Sequence, residues 1–434
     1  MIREALALAI TCACTGATFA QDDGGFRAEL TLGIGAVLDS DPDLNGIKRS
    51  GVAGLGTAGL TMSSKTRTQA LKFQLDAKRN TAAGTQIKSR LSYSRATKSS
   101  QFDASVVSAR LPVGDFTTAG LEPSGSVDLA ARASGVRTQQ GNVRFMTGIK
   151  RPFGTKFTYT ITRRKTDGMT VIRGTRQKLE FGVNARLNRR TILRGVLGGD
   201  RLRVVGATPV THTKTRVGVG VTFRPSKLLT LEFDVGSGRF RDDAANIAGM
   251  EWRVAATRQG RVGDVFAYAS SEQLAQGRLD QLQFGLTRAT EHHKFSVAVG
   301  LARLAVNSSE PTIDLRYSAT AARSRLDIAL SRDFSGSDES GETRIATKFD
   351  VGLSRRIGAR GALDLSVSYL KTDATALAGK RSATHIGAVY RLRLREDWGL
   401  VLGGQRRTRR DETGHRVGSN SVHVTFERRF KGGL

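Results

Sequence analysis

The sequence predicts a single all-β domain, a transmembrane antiparallel up-and-down barrel of about 22 strands. Three observations carry this. Apolar and polar residues alternate with a period of two, again and again, from residue 28 to residue 429. A short apolar leader precedes the series, and no linker interrupts it. Neighbouring side chains on a strand point to opposite faces, so such a pattern gives one greasy and one wet face. A barrel in an outer membrane needs that division on every strand.

Met1-Ile2-Arg3-Glu4 reads as a weakly basic start, and Ala5 to Ala17 is small and apolar. Thr18-Phe19-Ala20 suits signal peptidase, so residues 1–20 are expected to be a signal peptide and 21–434 the barrel. The apolar run is too short to span a membrane as a helix, and no later run reaches about 18 apolar residues. Cys12 and Cys14, the only two cysteines, fall in the leader. The mature chain therefore excludes a disulfide framework and a thiolate metal site. Only Gln21 to Arg27 precede the first strand, which leaves no room for a plug ahead of the barrel.

The expected strands, in order, start with Ala28 to Leu38, Ser50 to Met62, Gln69 to Arg79, Thr85 to Arg95 and Gln101 to Leu111. In the third, Leu71, Phe73, Leu75 and Ala77 alternate with Lys72, Gln74 and Asp76. Next come Arg137 to Lys150, Thr155 to Arg164, Gln177 to Leu187, Thr191 to Val204, Thr213 to Arg224 and Leu228 to Gly238. Phe157, Tyr159 and Ile161 alternate with threonines; Leu229, Leu231, Phe233 and Val235 alternate with Thr230, Glu232 and Asp234. The series continues with Gly249 to Arg258, Asp264 to Ser271, Leu279 to Thr290, Lys294 to Leu304, Thr312 to Thr320 and Ser324 to Arg332. Thr343 to Arg355, Ala362 to Lys371, Ala383 to Leu394, Trp398 to Arg407 and Asn420 to Arg429 complete it. Two are ambiguous. Ser50 to Met62 has Gly and Ala on both faces, and Arg194 falls beside apolar residues on either parity.

The connections alternate. Arg151 to Gly154, Arg224 to Lys227, Glu291 to His293 and Ala322-Arg323 are short; Asp41 to Ile47, Thr166 to Arg173, Ser335 to Glu342 and Asp411 to Gly418 are longer. Short turns are expected on the periplasmic side with both termini. The longest connection, Pro112 to Gly135, is a candidate constriction loop folding into the lumen. The longer loops carry acids, including Asp41, Asp43, Asp167, Asp242, Asp243, Asp338, Glu339, Asp411 and Glu412, a pattern suited to divalent cations that bridge lipopolysaccharide.

Thr66-Arg67-Thr68-Gln69, Pro152-Phe153-Gly154-Thr155, Asp397-Trp398-Gly399-Leu400 and Gly418-Ser419-Asn420-Ser421-Val422 resemble the punctuation of a family of outer-membrane β-barrel proteins from alphaproteobacteria, porin-like and without an assigned substrate. The resemblance implies an outer-membrane barrel and supplies no catalytic residues. The last strand also resembles the signal read by the barrel-assembly machinery: Val422, Val424, Phe426 and Phe430 share a face, although Lys431-Gly432-Gly433-Leu434 follow the aromatic. Trp (2) and Tyr (6) are scarce for interfacial girdles, and Phe (19) is expected to serve partly in their place.

Nothing in the sequence carries chemistry. Gly33, Gly35, Gly54 and Gly56 are strand glycines and do not form a dinucleotide loop. His292-His293 is a poor metal site because adjacent strand residues point apart. His212, His385, His415 and His423 have no visible nucleophile partner, so no catalytic, metal or cofactor site is expected. The net charge of +29 is the functional clue. By parity Lys72, Arg90, Arg144, Arg216, Arg316, Lys348, Arg391 and Arg393 face the lumen, with Lys88, Lys150, Lys178, Arg186 and Arg253. Asp76, Glu180, Glu232, Asp234, Asp314, Asp350 and Asp364 share that face and would pair with some of them. Excess lumen bases favour passage of small anionic solutes. A non-conducting structural or export-associated barrel acting through its loops is the alternative. Nucleic-acid binding is not expected, since the bases are spread over every strand with few aromatics between them.

Overall fold

The computed structural model describes residues 25–41, 51–81, 84–112, 135–167, 172–206, 209–242, 246–274, 276–304, 309–336, 343–373, 379–410 and 413–433. They form 22 strands: β1 Arg27–Asp39, β2 Gly51–Lys65, β3 Gln69–Asn80, β4 Gly84–Ala96, β5 Ser100–Pro112, β6 Gly135–Thr147, β7 Phe153–Asp167, β8 Ile172–Arg186, β9 Thr191–Val205, β10 Val210–Phe223, β11 Leu229–Arg241, β12 Asn246–Gln259, β13 Asp264–Leu274, β14 Gly277–Ala289, β15 His293–Leu304, β16 Ser309–Ala321, β17 Ser324–Gly336, β18 Thr343–Ile357, β19 Gly361–Thr372, β20 Arg381–Arg393, β21 Trp398–Arg410 and β22 Arg416–Gly433. Each pairs antiparallel with the next, and β1 pairs with β22 from Arg27↔Gly433 to Asp39↔Ser421. The sheet is thus a closed barrel, with no edge to leave backbone groups bare in lipid.

The period-two pattern sorts as a barrel requires. One face carries bare apolar side chains, among them Leu32, Ile34, Leu71, Val106, Phe145, Val219, Phe284, Val299 and Phe426; Ile34 is 76% exposed. The opposite face carries ion pairs that cross whole strands, such as Lys214 of β10 with Glu272 of β13. Such spans fit the concave side, so the charged face is the lumen and the apolar face meets the membrane. Strands of 11 to 18 residues suffice, since a tilted strand needs roughly 9–11 to cross.

The connections at one end run from two to five residues. Several are pinned by a side chain that accepts from the backbone two or three residues on. Thr97 Oγ1 accepts from Ser100 N–H (3.0 Å), Asn188 Oδ1 from Thr191 N–H (2.8 Å), Ser226 Oγ from Leu229 N–H (3.1 Å) and Thr290 Oγ1 from His293 N–H (3.0 Å). At the β6–β7 turn Gly148 has φ +65°, and a Cβ there would strike the Phe153 carbonyl. This turn ends β6 at Thr147, so Lys150, expected on the lumen face, sits exposed in the turn instead. At the other end the strand bounds leave the longest connection at 113–134, while those at 81–83 and 275–276 span as few residues as the short turns. The candidate constriction segment, the leader at 1–20 and most acidic loop residues lie outside the described residues.

Tyr93, Phe102, Phe145, Phe223, Phe295, Tyr317, Tyr390, Trp398 and Phe430 all lie on the membrane face within a few residues of the short-turn end. They form an aromatic belt at that level, the place where amphipathic rings settle at a membrane interface. His293 opens β15, and its Nδ1 lies 3.0 Å from the Tyr317 hydroxyl, with the rings stacked.

Candidate functional site: the lumen wall

The strand register places Lys72, Arg90, Arg144, Arg216, Arg316, Lys348, Arg391 and Arg393 on the lumen face. All but Lys348 are exposed there. They divide by partner. Arg216 Nε lies 3.2 Å from Glu251, Arg316 Nη2 3.0 Å from Asp314 on its own strand, and Arg391 contacts Asp364. Among the described residues Lys72, Arg90, Arg144 and Arg393 form no ion pair, and neither does Lys88. Lys72, Lys88, Arg90 and Arg144 lie on β3, β4 and β6; Asp76 and Asp103 stand register-opposite Lys88 and Arg144 on the same face without forming an ion pair, so this arc of the wall carries positive charge in excess.

The adjoining arc, β7 to β13, is a belt of ion pairs. Lys156 pairs with Glu180 (2.8 Å), Arg176 with Asp200 (2.7 Å), and Arg194 with Asp234 (2.9 Å) and Glu232 (3.4 Å). Arg194, ambiguous by parity, thus faces the lumen. It reaches over Gly220, its register partner on β10, to Asp234, which pairs with Gly220 from β11. Glu251 collects Lys214 (3.0 Å) and Arg216 (3.2 Å) with its side chain only 3% exposed. It also accepts from Gln273 N–H (3.1 Å), where the β12–β13 ladder has ended at Trp252↔Ser271. A carboxylate here stands in for a missing strand partner.

At the loop end the lumen-side residues are buried. Leu55, Val204, Ala302, Leu304, Ala346 and Thr372 are each under 5% exposed. The seam where the barrel closes lies in this layer. Arg407 Nη2 of β21 donates to Asp39 Oδ2 of β1 (2.8 Å), across β22, with both side chains 8% exposed or less. Ser419 Oγ of β22 also contacts Asp39, and Asp41 N–H donates to both Asp39 (3.1 Å) and Ser419 (3.3 Å). Asp41 is 2% exposed. It therefore belongs to the seam and offers no surface carboxylate for bridging lipopolysaccharide. Asp242 is half-buried beside His212 (3.7 Å).

The parity reading missed Glu251, Lys214 and Asp200 among the lumen charges, although they follow the same alternation. It also missed Asp39 and Arg407, whose partnership needs the first and last strands side by side. Val422, Val424, Phe426 and Phe430 all face the membrane. The ladder does not stop at Phe430: Lys431, Gly432 and Gly433 pair with Glu29, Ala28 and Arg27. Among the described residues no group of three or more His, Cys, Asp or Glu could hold a metal ion.

No family model matches the chain, and no curated relative does. Solved structures do. The open form of the ferric-catecholate import receptor Fiu from E. coli K12 shares 9% identity at a TM-score of 0.57, over 94% of this chain and 82% of that one. The FrpB iron transporter from Neisseria meningitidis, in its apoprotein form, shares 10% at 0.58, over 94% and 82%. The copper transporter OprC shares 10% at 0.52, over 95% and 84%. At such identities the likeness is one of fold, and the fold is the closed antiparallel barrel of outer-membrane receptors.

Proposed function

We propose that this barrel is a porin-like outer-membrane channel that favours small anionic solutes. The observation that carries the reading is the unpaired arc of Lys72, Lys88, Arg90 and Arg144, joined by Arg393, on a lumen wall whose acids are largely engaged elsewhere. Fixed positive charge on a wetted wall lowers the barrier for anions and raises it for cations. Fiu, FrpB and OprC are described as import receptors or transporters, which suits a transport role for the shared scaffold.

A second reading has its own observation. The lumen face is buried at the loop end, around Asp39, Arg407 and Thr372. That layer favours a barrel closed at one end, non-conducting at rest and acting through its loops.

Single-channel recording of the refolded chain in a planar bilayer, under a salt gradient, separates the two. Stable steps with an anion-selective reversal potential support the channel. A folded barrel without conductance supports the closed form, and cation selectivity overturns the role given to the basic arc.

A further inference from the structure

The membrane face is not uniform at the short-turn end. Between β11 and β15 it is dented by a furrow of about 450 Å³, within the range of roughly 300–1,000 Å³ typical of small-molecule sites. Its floor is set by small residues, Ala256, Ala267 and Gly285, and its walls by Phe284, Leu286 and Val299. Phe284 and Val299 are each more than half exposed. A trough of this lining suits a flexible hydrocarbon chain.

Arg258 stands on the furrow's rim. Arg288 follows on β14, register-paired with Phe295 of the aromatic belt, so its guanidinium belongs at the level of the membrane interface. Arg261 lies in the turn just beyond. All three are exposed, and among the described residues none forms an ion pair. Exposed arginines without an ion pair beside an apolar trough match a phosphate attached to an acyl chain, because the planar fork of guanidinium donors fits phosphate oxygens. The short-turn end carries both strand termini Arg27 and Gly433, the arrangement that puts these turns in the periplasmic leaflet, where phospholipids lie.

We propose that the furrow between β11 and β15 is a binding site for one anionic glycerophospholipid, its acyl chain in the trough and its phosphate on Arg258 and Arg288. The proposal rests on the barrel's lying in a bilayer, and it is independent of whether the lumen conducts.

The test is native mass spectrometry of the folded, detergent-extracted barrel, supplied with equal amounts of phosphatidylglycerol and phosphatidylcholine. Heat-modifiable gel mobility establishes folding for every variant. The wild type is expected to retain phosphatidylglycerol roughly tenfold over phosphatidylcholine, the scale of one or two basic residues acting at an anionic surface. The R258Q/R288Q pair, both surface changes, should bring the two lipids to about parity. A267F keeps the arginines and fills the trough, and it should reduce retention of both lipids. Equal retention of the two lipids by the wild type overturns the proposal. So does a preference that survives both variants. Loss of retention on replacing Lys98 and Arg95, on the far side of the barrel, would also overturn it, because the effect would then belong to the whole charged rim.

Discussion

Arg194 of β9 and Asp234 of β11 form a 2.9 Å ion pair across the strand between them, and Gly220 is the residue they cross. The three are level in register. A Cβ on Gly220 would collide with the Asp234 carboxylate and come within 2.9 Å of the Phe233 carbonyl. The glycine is thus a low saddle that lets two strands interact over a third. Asp39 and Arg407 use the same device at the seam, over Ser419 and Ser421 of β22.

Replacing Gly220 with leucine should displace Asp234 and sever its pair with Arg194. Both partners are about a quarter exposed, so the loss is expected at about 1–3 kcal/mol, the scale of a charged hydrogen bond left unmade. Urea unfolding of the refolded barrel, followed by tryptophan fluorescence, measures it. An unchanged midpoint would show that the saddle has no energetic role.

Asp39→Asn leaves Arg407 buried without its counter-charge. Removing one member of a buried pair costs about 3–5 kcal/mol, so the temperature at which the folded band is lost on a gel should fall clearly. Asp39→Leu combined with Arg407→Met should lose much less, since an apolar pair carries no desolvation penalty.

Deleting residues 431–434 spares Phe430 and removes the pairing of Arg27, Ala28 and Glu29 with the end of β22. The closing ladder shortens at its membrane edge, where unpaired backbone groups are most costly. The truncated chain should refold more slowly into lipid vesicles and lose its folded band at a lower temperature. Equal rates would show that closure is complete at Phe430.

Exchange of Lys72, Arg90, Arg144 and Arg393 for glutamine removes four positive charges that form no ion pair among the described residues. If the barrel conducts, its reversal potential under a salt gradient should move toward cations, most at low ionic strength, where screening is weakest. A shift of similar size on removing Arg95 and Arg258, which face the membrane, would count against a lumen origin.

The strand pattern was legible because a barrel strand reports its own surroundings: every second residue meets lipid, and the chain records this locally. The five lumen bases without an ion pair were legible for the same reason. Arg194 was not, since Ile192, Val196, Leu202 and Val204 share its lumen face, where ion pairs and packing at the loop end tolerate apolar neighbours. Lys150 was misplaced because β6 is ended by the positive φ of Gly148, a feature of one turn that periodicity does not register.

By itself, then, the sequence determined the all-β class, the strand series and, on every strand but β2 and β9, which face meets the membrane. These follow from alternation within about a dozen residues. Tertiary structure alone decided which charges cancel. Asp39 meets Arg407 only because β1 closes on β22, and Glu251 gathers Lys214 and Arg216 only because its carboxylate lies over Gly238 of β11, the strand between them. Ion pairing depends on distances between strands far apart in the chain, and closure of the barrel sets those distances.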